Sequence, residues 1–218
     1  KTVCLVDGDL VQPSQHLYFS LANAPASLSA LCRLIEQNRF GDSDFENLTL
    51  DLVVPKAKVT LIAGVPNELT AETITLDSFE TLLEMLVLKF DEVVIDLATL
   101  SEQNQALVDV VLKRADRIIV TSLADPISVH RFINNLETLS RHVDFEKSQL
   151  LVNRVNSSIL GSNPQQQLEQ TLRKHTPFNR ISYLPEDPAF EIAMQKSLPL
   201  SFASKKTPAL ETLRLLIE

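Results

Sequence analysis

Short apolar runs alternate along this chain with longer stretches of helical periodicity. Val3-Cys4-Leu5-Val6 is the first run of strand length, and Val59-Thr60-Leu61-Ile62-Ala63 is the second. Val93-Val94-Ile95, Ile118-Ile119-Val120, Leu150-Leu151-Val152 and Ile181-Ser182-Tyr183-Leu184 follow. Within these runs consecutive positions are apolar, not alternate ones, which predicts strands covered by helices on both faces. Between them, Phe79, Leu82, Leu83 and Leu86 recur at helical spacing, as do Leu107, Val110, Val111 and Arg114. Val129, Phe132, Ile133 and Leu136 follow Pro126, a residue suited to a helix start. Gln165 to His175 carries Leu168 and Leu172 four apart, and Ala189 to Lys196 and Ala209 to Ile217 close the chain as helices. The order predicts an α/β fold: a mostly parallel sheet with helices on both faces and right-handed crossovers. Asn38 to Lys58 is the least regular stretch, and Gly41-Asp42-Ser43-Asp44 marks a turn within it.

Composition narrows the picture. The chain has 218 residues, 44% hydrophobic and 22% charged, which suits one globular domain of moderate size. A core of that size needs no disulfide or metal. Cys4 and Cys32 sit among apolar neighbours and form no C-x-x-C pair, so they read as buried thiols of a reducing compartment. Formal net charge is −8, which argues against broad sequence-independent DNA binding. No apolar run approaches the ~20 residues of a membrane span. The chain opens at Lys1 directly into a strand-like run, as a piece of a longer polypeptide would.

In an open parallel sheet, ligands bind at the carboxyl ends of the strands. Asp7-Gly8-Asp9 follows the first run, Asp96 the third, and Thr121, Ser122 and Asp125 the fourth. Asn153-Arg154 follows the fifth and Pro185-Glu186-Asp187 the sixth. Carboxylates gathered at one edge suit magnesium, directly or through water. An Asp there can orient an attacking water for phosphoryl transfer, and an Asn amide can read a purine edge. Each position also has a plain structural reading. An Asp after a strand caps the next helix, and Asp187-Pro188 reads as an N-cap followed by Pro. The four histidines show no metal-ligand spacing, and no G-x-S-x-G occurs. Only Gly8, Gly41, Gly64 and Gly161 are present, and no G-x-x-x-x-G-K followed by Ser or Thr exists.

These segments in this order resemble the MinD/ParA group of deviant-Walker ATPases. Lys1 to Leu10 looks like that group's second strand, with Asp-x-Asp after it. Phe90-Asp91-Glu92-Val93-Val94-Ile95-Asp96 looks like its Walker B strand. Ala115 to Val120 with Asp125, Leu150 to Val155, and Ile181 to Asp187 with Leu198-Pro199-Leu200 resemble its later strands. The Asp-Gly-Asp-Leu-Val-Gln run and Asn153-Arg154-Val155 are most similar to the CpaE/TadZ branch, which assembles and places Tad (Flp-type) pili. The resemblance implies that residues 1–218 are one MinD/ParA-like, P-loop NTPase-type domain lacking its first strand, P-loop and first helix. A receiver-like domain is expected upstream. It implies ATP or ADP with Mg as cofactors. Asp9 would orient water, Asp7 would be its partner near metal and phosphates, and Asp96 would hold magnesium. Asn153, Pro185 and Asp187 would lie beside the adenine. Ala98 stands where the group usually has Pro. The resemblance further implies a cytoplasmic homodimer with weak or absent hydrolysis, recruited by pilus or secretion machinery to the pole or inner membrane face. A working ATPase of cell-division, flagellar or DNA-partition positioning is the alternative. MinD ends in a basic membrane-binding helix. Here Glu211 and Glu218 outweigh Arg214, so the tail reads as a helix packed on the sheet.

Overall fold

The computed structural model describes residues 1–21, 24–25, 27–54, 57–64, 74–102, 104–156 and 164–217. They fall into two compact units: Lys1–Val110 with Met194–Pro199, and Val111–Ala193 with Leu200–Glu218.

The first unit is built on β1 (Thr2–Gly8), β2 (Leu50–Val54), β3 (Ala57–Ile62) and β4 (Glu92–Leu97), in the order β2-β3-β1-β4. β1 runs parallel to both β3 and β4, and β2 is antiparallel to β3. The helices α1 (Gln15–Tyr18), α2 (Ser27–Glu36), α3 (Asp42–Leu48) and α4 (Leu76–Lys89) belong to this unit. The apolar stripe predicted on α4 is its buried face: Phe79, Leu82 and Leu86 are fully buried and Leu83 nearly so. Thr75 caps α4 by accepting the Ser78 N–H at 3.3 Å. The core also takes Cys4, Val6, Leu28, Leu31, Cys32, Leu61 and Ile62. Burial pushes the Cys4 thiol up to about 12 and the Cys32 thiol up to about 11, so both behave as small hydrophobes.

α5 (Gln105–Arg114) leads into the second unit, whose sheet is β5 (Ile118–Leu123), β6 (Ser148–Val155) and β7 (Ile181–Pro185), all parallel, with β6 central. Its helices are α6 (Pro126–Asn134), α7 (Leu136–Leu139), α8 (Pro164–His175), α9 (Ala189–Gln195), α10 (Leu200–Ala203) and α11 (Pro208–Ile217). Here helices cover both faces, as β6 shows. Leu150 and Val152 pack with Val129, Leu168, Leu172 and Phe178 on one side. Leu151 packs with Leu184, Ala209 and Leu216 on the other. The tail helix α11 is therefore a packed element, as its acidic balance predicted. No helix among the described residues is long and apolar enough to cross a membrane.

Two expectations need correction. The stretch before Lys58, read as irregular, contains α3 and β2. Only Leu52 of β2 is buried while Val53 is 93% exposed, so a one-sided edge strand hid its apolar pattern. Second, the apolar runs at β4 and β5 are not sealed on both faces. Val94 is 51% exposed, and Ile119 and Leu123 are also exposed. Among the described residues β4 pairs only with β1, and β5 only with β6, so both are edge strands without the Pro, Lys or bulge that usually protects an edge.

Candidate functional site

β1 and β4 lie side by side in parallel register, so Asp7 stands directly opposite Asp96. The two carboxylates come together because they form the fifth of the six registered pairs of β1 and β4, at the carboxyl end where the apolar run stops. Asp7 is fully buried. Its Oδ2 accepts the Gln15 N–H at 2.9 Å, while Oδ1 is buried with no hydrogen-bond partner among the described residues. Burial raises the Asp7 pKa, and the Asp96 charge adds to the rise, against backbone hydrogen bonds that lower it. Asp96 is half-buried, and its Oδ2 accepts the Gln15 Nε2–H at 2.5 Å. Gln15, the first residue of α1, thus bridges both carboxylates through its backbone and its side chain.

Two glycines make the room for this arrangement. A Cβ on Gly64 would stand 2.3 Å from the Pro13 Cβ and 3.0 Å from the Asp7 Cγ. A Cβ on Gly8 would stand 2.9 Å from the Asp96 carbonyl oxygen. These are close approaches of backbone to the carboxylate pair and not a phosphate cradle. Gly161 lies outside the described residues.

Asp9 is oriented differently. Its Oδ1 accepts the N–H groups of Val11 and Gln12, both at 2.8 Å, and so holds its own turn. Among the described residues no group of three or more metal-ligating side chains is assembled. Asp7 and Asp96 alone still fit magnesium, which keeps several waters and takes one or two carboxylates. The unpartnered Oδ1 of Asp7 is the atom such an ion or its water would satisfy.

In the second unit Asn153 and Pro185 stand at the carboxyl ends of the neighbouring strands β6 and β7. A bulge separates Val152 from Val155, and within it Arg154 takes the left-handed conformation with φ 57°. The Asn153 Oδ1 accepts the Arg154 N–H at 2.8 Å and supports that conformation. Val155 then pairs with Pro185, and Asn156 Nδ2 donates to Glu186 Oε2 at 2.5 Å. Both oxygens of Asp187 face backbone: Oδ1 accepts the Ala189 N–H at 2.9 Å, and Oδ2 accepts the Ala209 N–H at 3.4 Å. Asp187 therefore caps α9 and ties down the start of α11. Asp125 caps α6 in the same way, through Ser128 N–H at 2.9 Å. Sequence reasoning missed Gln15 and Gly64. A glutamine outside any motif carries no signal of bridging two carboxylates, and a glycine needed for close packing looks like any turn glycine.

By sequence, no protein-family model and no curated protein matches this chain. By structure it is similar to a ParA family ATPase from Chlorobium tepidum TLS, with a TM-score of 0.74 at 16% identity, over 97% of this chain and 83% of that one. It is similar to the septum site-determining protein MinD complexed with Mg-ADP from Pyrococcus horikoshii OT3, with a TM-score of 0.72 at 14% identity, over 100% of this chain and 83% of that one. The MinD cell division protein in a MinC:MinD complex from Aquifex aeolicus matches with a TM-score of 0.68 at 16% identity, over 100% of this chain and 84% of that one. The mostly parallel α/β architecture is thus the P-loop NTPase fold in its MinD/ParA form.

Proposed function

We propose that this chain is the larger part of a nucleotide-dependent positioning protein of the MinD/ParA kind, acting in Tad/Flp-type pilus or secretion machinery. The observation that carries the reading is the Asp7–Asp96 pair. A fully buried carboxylate, one of whose oxygens has no partner among the described residues, faces a second carboxylate at the carboxyl ends of adjacent parallel strands. Buried carboxylates with an unsatisfied oxygen are rare in folded proteins and concentrate at functional sites. Asp7 and Asp96 would hold magnesium, directly or through water, and magnesium would neutralise nucleotide phosphates there. Asp9 would orient water through Oδ2, because Oδ1 is the oxygen that accepts the two N–H groups of its own turn. Asn153 and Pro185 would face the base, and Asp187 would stand behind them as the cap that fixes their loop. ATP or ADP is the nucleotide in this reading, and the protein works as a homodimer that contacts pilus proteins. The 218 residues contain no Gly-rich phosphate loop, so hydrolysis requires one from elsewhere, and positioning by protein contact is the main work.

The test is calorimetry with ATP, with and without magnesium, on this chain and on any longer form. Magnesium-dependent binding that Asp96→Asn weakens at least about tenfold supports the reading. Binding that ignores both magnesium and Asp96 overturns the site, and absence of binding in every form overturns the nucleotide role.

A further inference from the structure

The second unit carries a recess at the end of its strands opposite to Asn153 and Pro185. Its volume is about 480 Å³. Arg117 immediately precedes β5 and Arg180 immediately precedes β7, so parallel pairing brings both to the amino-end rim. Arg173, in the last turn of α8, completes a set of three guanidinium groups. Gln149, Asn179 and Ser182 add polar donors to the lining. The chain as a whole has net charge −8, so three arginines in one recess run against its overall balance.

The arginines are not equally committed. Arg117 Nη1 donates to the Leu216 carbonyl at 3.2 Å, beside Gln149 Nε2, which donates to the same oxygen at 2.9 Å. Those two bonds hold the end of α11. Arg173 Nε is bound to Glu169 Oε1 at 2.8 Å, which occupies one edge of its guanidinium. Arg180 makes no ion pair or side-chain hydrogen bond among the described residues. Its backbone carbonyl accepts the Leu150 N–H at 2.9 Å, which fixes the position of its stem. Among the described residues the acidic groups nearby are Glu169, paired with Arg173, and the exposed Asp116 beside Arg117.

We propose that this recess binds a compact diphosphate-bearing small molecule, separately from the carboxylate pair of the first unit. Guanidinium forks match phosphate oxygens in bidentate geometry, and three of them against Glu169 and Asp116 leave the recess net positive toward a diphosphate. The volume suits a small ligand. An extended polyanion such as nucleic acid would meet the acidic remainder of the surface.

The probe is inorganic pyrophosphate, titrated into the chain by calorimetry without divalent cations, with ADP in parallel. The wild-type chain binds pyrophosphate. Arg180→Glu weakens binding at least about tenfold without changing the melting temperature. Arg173→Gln, which keeps a hydrogen-bond donor, weakens it less. Asp96→Asn leaves it unchanged, which separates this recess from the proposed nucleotide site. Equal affinities for ADP and pyrophosphate assign recognition to the diphosphate alone, and tighter ADP binding adds the nucleoside. The proposal is overturned if the wild type does not bind pyrophosphate. It is also overturned if both arginine variants bind normally, or if a short DNA duplex displaces pyrophosphate more readily than ADP does.

Discussion

Asp7 shows what a single buried carboxylate costs. Burial raises its pKa above the ordinary carboxylate range, so the folded form holds a proton that the unfolded chain releases. Stability therefore falls as pH climbs from the unfolded pKa, about 3.9, through the raised folded one. The penalty is absent below that window and complete above it. Asp7→Asn keeps the shape and removes the charge. It is expected to stabilise the fold by about 1–3 kcal/mol at neutral pH, and by much less at about pH 4. Urea denaturation at the two pH values checks this, and equal destabilisation at both would refute it. Gly64→Ala works against the same pair from the backbone side. Its Cβ would overlap Pro13 and crowd Asp7, at an expected cost of about 1–3 kcal/mol, measurable in the same assay. Asp7 and Asp96 were legible in sequence because both end apolar runs. Their bridging partner Gln15 was not, because it lies eight residues beyond Asp7 and its meeting with Asp96 depends on how β1 and β4 pair. Asp187 was legible in both of its readings, and the geometry supplies the capping one directly.

At the scale of elements, burial predicts which substitutions matter. Leu172 and Leu150 are fully buried in the same cluster, between α8 and β6. Leu172→Ala is expected to cost about 2–5 kcal/mol, whereas Val53→Ala on the exposed side of β2 should stay within about 0.5 kcal/mol. Thermal or denaturant unfolding of the two variants distinguishes them. β1 and β6 were readable because burial on two faces writes itself as an unbroken apolar run, and β3 and β7 because their runs are broken only by Thr60 and Ser182. β2 was not, because an edge strand needs only one buried side and can carry Asp51, whose Oδ1 accepts the Thr60 hydroxyl at 2.9 Å. The bulge at Arg154 also escaped notice. Nothing in Asn153-Arg154-Val155 marks an arginine with positive φ until the pairing of β6 with β7 slips around it.

At the scale of the molecule, charge and edges set behaviour in solution. A net charge of −8 favours dispersal of separate chains. The apolar strand β4 works the other way, since among the described residues it pairs with a strand on one side only. Val94→Lys is expected to lower concentration-dependent light scattering of the isolated chain while leaving its circular dichroism unchanged. Unaltered scattering would show that β4 is not the sticky edge. Because β4 has a strand partner on one side only among the described residues, this chain also lends itself to fragment complementation. A short synthetic peptide of β-branched residues that docks there would raise the melting temperature with the logarithm of its concentration. The chain would then serve as one half of a split reporter, silent alone and completed by a strand supplied in trans.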